Sequence, residues 1–78
     1  MTLLHRVCPQ QNMARFYALS MERSLFGEFV VIRLWGRIGR RGQSKKESFE
    51  DEPEAEQRLL KLANMKRRRG YIDQPQSL

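Results

Sequence analysis

The apolar positions of the chain follow two different periods. Up to Phe49 they fall on alternate residues in short runs; beyond Pro53 they recur at helical spacing. Alternation predicts strands and the longer period predicts a helix. Residues 3–7 read as a first strand that ends at Cys8-Pro9, because proline cannot donate to a ladder. Residues 10–12 connect it to a second, loosely alternating strand at 15–21, and residues 22–27 form a turn. EFVVIRLW, residues 28–35, is the strongest strand, rich in β-branched and aromatic residues. Residues 39–42 make a hairpin loop with Arg40 and Arg41 at its tip, and 43–49 return as a short polar edge, where Lys45 and Lys46 oppose edge-to-edge pairing.

Residues 53–69 form the predicted helix. Asp51 or Glu52 caps it, Pro53 suits its first turn, and Glu54 and Glu56 suit the positive end of the helix dipole. Lys66 to Arg69 sit at the carbonyl end, and Gly70 is the stop. Ala55, Leu59, Leu62 and Ala63 make a narrow apolar stripe, widened by Leu60 and Met65. Tyr71 and Ile72 return to the sheet or pack on the helix, and 74–78 form a frayed tail. The fold class is therefore α+β, a small antiparallel sheet with one long helix on one face. Val30, Ile32 and Leu34 are expected to meet the helix, leaving Arg33, Trp35 and Arg37 nearer to solvent.

Seventy-eight residues make one small domain with a thin core. The formal charge of +6 favours an acidic partner, most often nucleic acid. A lone cysteine, Cys8, forms no internal disulfide and suits a reducing compartment. With no signal-like or membrane-spanning run, the expectation is a cytoplasmic, membrane-free monomer.

LWGRIGRRGQ, residues 34–43, carries glycines at 36, 39 and 42, but neither phosphate-loop spacing nor G-x-G-x-x-G. One reading is a plain hairpin turn flanked by a core tryptophan; the other rests on charge. Arg33, Arg37, Arg40, Arg41, Lys45 and Lys46 fall within a stretch free of acids, with Trp35 among them. Cations attract phosphate and release its counterions, and an aromatic ring among them stacks on a base or sugar. Arginine outnumbers lysine eleven to four, which suits bidentate phosphate contact. Lys66 to Arg69 form a second basic cluster; the helix dipole alone accounts for it, and contact with nucleic acid is its second reading. Catalysis finds little support: His5 and Cys8 point to opposite faces of a strand, and one His with one Cys do not make a metal site. No catalytic, metal-binding or cofactor-binding residue is expected.

WGRIGRRGQ, preceded by a β-rich run, resembles the core motif of the WGR domain family. Arg15-Phe16-Tyr17 matches the basic-aromatic-aromatic step of its earlier strand, and the basic helix end before Gly70-Tyr71 matches its close. The resemblance covers about residues 3–73, read as a single domain over 1–73. WGR domains occur in DNA-damage-responsive poly(ADP-ribose) polymerases, where they bind at a DNA break near the 5′ end, and in small bacterial proteins. The resemblance implies a nucleic-acid-binding module for DNA, more than RNA, at ends or nicks. Trp35 would pack on a terminal sugar or base, Arg37 would contact phosphate or a neighbouring domain, and Asn12 and Arg15 would supply polar contacts. With Gly36, Arg33, Arg40, Arg41 and Lys45 these make the expected binding surface. A second reading is a protein-interaction adaptor with Trp35 and Arg37 as its hot spot. The signalling role of the polymerases does not transfer, because it belongs to domains beyond this one.

Overall fold

The computed structural model describes residues 1–75. Five strands and one long helix follow the order β1 (Thr2–Cys8), β2 (Met13–Arg23), β3 (Phe29–Arg37), β4 (Gln43–Phe49), α1 (Glu52–Arg68) and β5 (Ile72–Asp73). A single 3-10 turn, Pro9–Gln11, joins β1 to β2. The strands form one antiparallel sheet in the order β4-β3-β2-β1-β5. Each expected strand and the helix is present. β4 has the bounds that its polar run predicts, and Ile72 pairs with His5 at the far edge.

The helix ends as its sequence requires. Gly70 takes a φ of 94°, its N–H donates to Arg67 O, and the Tyr71 N–H reaches back to Lys66 O. This pair of bonds is a Schellman motif, which satisfies the last carbonyls and turns the chain toward β5. At the other end Asp51 occupies the cap position by backbone geometry, without a side-chain hydrogen bond.

The helix covers the opposite sheet face from the one expected. Val31 is 1% exposed and belongs to the core, whereas Leu34 is 40% exposed. The core joins Leu4, Tyr17, Leu19 and Val31 of the sheet to Ala55, Leu62 and Ala63 of the helix, with Tyr71 closing one end. The cause lies in the neighbouring strands. Tyr17 pairs with Trp35, Leu19 with Arg33 and Met21 with Val31, so the apolar side chains of β2 reinforce the odd-numbered face of β3. The face of Ile32 and Leu34 is flanked by Ser20 on β2 and by Ser44 and Lys46 on β4. A sheet face is the sum over its strands, and β3 alone pointed the wrong way. Leu60, expected to widen the helix stripe, is likewise 56% exposed.

Candidate nucleic-acid interface

The pairing of β3 carries no bulge: Trp35, Gly36 and Arg37 lie opposite Tyr17, Phe16 and Arg15 in unbroken register. Trp35 therefore shares its face with Arg33 and Arg37, and this is the face toward the helix. Its ring is half-buried against the edge of the core. The reversal of faces thus brings Trp35 and the arginines toward the helix's basic end.

Two glycines let the hairpin close behind Trp35. A Cβ on Gly36 would lie 2.7 Å from Gly42 Cα, and one on Gly42 would strike the Trp35 carbonyl oxygen. Gly42 also has a φ of 75°. The backbone of the loop after β3 consequently folds flat against the Trp-Gly step, with Arg40 and Arg41 on its exposed turn.

Two adjoining cavities share Trp35 and Lys66. The first, about 340 Å³, is lined by Tyr17, Arg33, Trp35, Lys45, Leu62, Met65, Lys66 and Arg69. The second, about 380 Å³, is lined by Arg15, Phe16, Trp35, Gly36, Arg37, Lys66 and Tyr71. Neither lining contains a carboxylate.

Lys66 is the element that unites them. Its Nζ stands 4.8 Å from the Tyr17 ring centroid and 5.2 Å from that of Tyr71. The two tyrosine rings meet edge-on at 6.4 Å. The Schellman turn is what brings Tyr71 back beneath Lys66. Burial lowers the Lys66 pKa, and the neighbouring charges of Arg69, Arg15 and Arg33 lower it further. Among the described residues no carboxylate pairs with it. Ring faces favour the ammonium, but three cations around a half-buried fourth leave an excess of positive charge that an anion would relieve.

The expected residues divide into groups. Arg33, Trp35 and Lys45 line the first cavity, and Arg15, Gly36 and Arg37 the second. Asn12 acts through Arg37, whose guanidinium donates to Asn12 O at 3.2 Å and to Asn12 Oδ1 at 3.4 Å. Asn12 itself takes a φ of 50°, which turns its carbonyl and side chain toward that guanidinium. Arg40 and Arg41 lie on the exposed loop, outside both linings. Sequence reasoning left Lys66 and Arg69 out of the expected surface in favour of the dipole reading, and missed Met65 from the helix and Tyr17 and Tyr71 from the floor. The basic helix end was visible, but its dipole explained the charges without saying where the helix lay on the sheet.

The remaining charge is segregated. Eight of the nine acids fall in 22–28 and 47–56, toward the far end of the strands and the start of the helix. The ninth, Asp73, is paired with Arg67 at 2.7 Å. No helix is long and apolar enough to cross a membrane, and no cluster of metal-binding residues occurs among the described residues.

A WGR domain match extends over residues 1–77. The chain is also 44% identical over 72 residues to a protein of Sinorhizobium fredii (strain NBRC 101917 / NGR234) described as "Uncharacterized protein y4dW". That alignment takes in 92% of this chain and 35% of the relative, so the chain spans about a third of the relative's length. No solved structure gives a significant match. WGR domains are, in general, small nucleic-acid-binding modules. The motif, the α+β fold and the match over nearly its whole length agree: this chain belongs to the WGR domain family.

Proposed function

We propose that the chain is a non-catalytic module that binds DNA ends or nicks, with Trp35 packed on the terminal sugar or base. The single observation that carries this reading is the position of Trp35 between two cavities whose charged lining groups are all cationic. An internal base pair is stacked on both faces and cannot meet a recessed ring. A strand terminus or a nick offers a free sugar and base face, together with nearby phosphates. Stacking of this kind is worth about 1–3 kcal/mol per base. In this arrangement Arg33, Lys45, Lys66 and Arg69 hold phosphate on one side of Trp35, and Arg15 and Arg37 on the other. Arg40 and Arg41 meet the duplex backbone farther along.

The lone tryptophan gives the test. A blunt duplex with 5′-phosphates is titrated while Trp35 fluorescence is followed, then a duplex closed by loops at both ends. Quenching by the open duplex, stronger than by the closed one, supports end recognition. Equal, salt-sensitive binding without a fluorescence change reduces the site to a basic surface. Tighter binding and stronger quenching by single-stranded RNA would move the reading to RNA, and absence of binding to either would favour the adaptor reading.

A further inference from the structure

Among the described residues, the β2–β3 turn carries the most exposed large apolar side chains. Leu25 and Phe26 are 101% and 91% exposed. Turn tips ordinarily carry Gly, Pro, Asn, Asp or Ser, whose backbone chemistry suits the bend. Here Ser24 and Gly27 supply that chemistry. Ser24 Oγ accepts from Phe26 N at 3.2 Å and from Glu28 N at 3.1 Å, and Ser24 N donates to Glu28 O at 2.8 Å. Gly27, with a φ of 86°, donates to Ser24 O at 3.1 Å. Leu25 and Phe26 are left to point outward from a rigid turn. An isolated exposed leucine needs no explanation, but an ordered pair of large apolar side chains with no packing role is a preformed anchor.

Its surroundings say what it fits. Every acid of the chain except Asp73 lies toward this end; of the cations beside them, Arg23 lies 5.2 Å from the Phe29 ring centroid and Arg58 is paired with Glu47. The acids oppose insertion into a nucleic acid or an anionic membrane. They complement a basic protein surface. Phe29, at the foot of the turn, is six strand residues from Trp35, about 20 Å. The two ends can therefore be occupied together. We propose that the Leu25–Phe26 turn docks a protein partner through an apolar pocket with a basic rim, which makes the chain a bridge between that partner and whatever the Trp35 end holds.

The test selects short random peptides displayed on phage against the immobilised full chain, then measures synthetic versions by calorimetry. The expected winners combine Lys or Arg with aromatic or aliphatic residues. Leu25→Ser/Phe26→Ser should weaken them about tenfold or more. Its thermal midpoint should be unchanged, because both side chains are exposed, and added duplex DNA should leave peptide affinity unchanged. Failure to enrich any peptide, acidic winners, or equal binding to the double variant would overturn the proposal. So would sedimentation with phosphatidylserine vesicles that depends on Leu25 and Phe26. None of these outcomes depends on DNA-end binding, which is read separately from Trp35 fluorescence.

Discussion

At the scale of single residues, Trp35 and Lys66 divide the work of the site. Trp35→Ala removes the ring shared by the two cavities, and DNA-end affinity should fall by about 1–3 kcal/mol, the value of one stacked base. Because Trp35 only borders the core, the variant should keep a cooperative thermal transition. Lys66 is tested by pH. Burial and the charges of Arg69, Arg15 and Arg33 depress its pKa in the free protein, and a bound phosphate would raise it again. Binding then takes up protons between the lowered free value and the raised bound value. Duplex affinity should be greatest below the free pKa and fall as pH rises through that window. Lys66→Arg, which stays charged, should flatten this alkaline fall; an unchanged pH profile in the variant would remove Lys66 from the site. Gly42→Ala tests the loop. It adds a Cβ against the Trp35 carbonyl at a positive φ, and should lower stability by at least about 1–2 kcal/mol in a thermal melt.

Between elements, the decisive fact is which face of β3 meets the helix. Leu62 is 4% exposed and Leu60 is 56% exposed, although both belong to the same apolar run. Leu62→Ala should cost about 2–5 kcal/mol, a large share of the stability of so small a domain, whereas Leu60→Ala should stay within about 0.5 kcal/mol. Denaturant melts of the two variants distinguish this packing from one rotated to bury Leu60. The strands, the helix and its glycine stop were legible because each follows from local chemistry: alternation, a capped run, a positive φ. The choice of face was not, because Val30, Ile32 and Leu34 are as apolar as Phe29 and Val31. Only the partners Tyr17, Leu19 and Met21, set by pairing register, decide between them. The same gap hid half of the site. Trp35, Arg33 and Arg37 stand in one motif and could be grouped by eye. Lys66 and Arg69 join them only once the helix lies across that face with its C-terminus over Tyr17.

Over the whole molecule, charge is sorted along the helix and the strands beneath it. The helix runs with its acidic start beside the β2–β3 turn and its basic end beside Trp35, so its dipole and its side chains point the same way. A polyanion approaching this molecule is repelled from one end and drawn to the other, which orients the encounter before any contact forms. Salt dependence measures how many cations then engage. If the six cations of the two cavities and Arg40 and Arg41 all neutralise duplex phosphates, the log–log slope of affinity against salt should be about −7. Arg40→Ala/Arg41→Ala should make that slope shallower by about 1.8 while Trp35 quenching persists, because these side chains lie outside the cavities. Lys45→Ala/Arg69→Ala should reduce slope and quenching together, because both residues line the cavity that holds the ring. A slope that answers to Arg40 and Arg41 alone would mean that the loop binds phosphate and the cavities do not. The recessed tryptophan would then have no part in holding DNA, and end recognition would lose its physical basis.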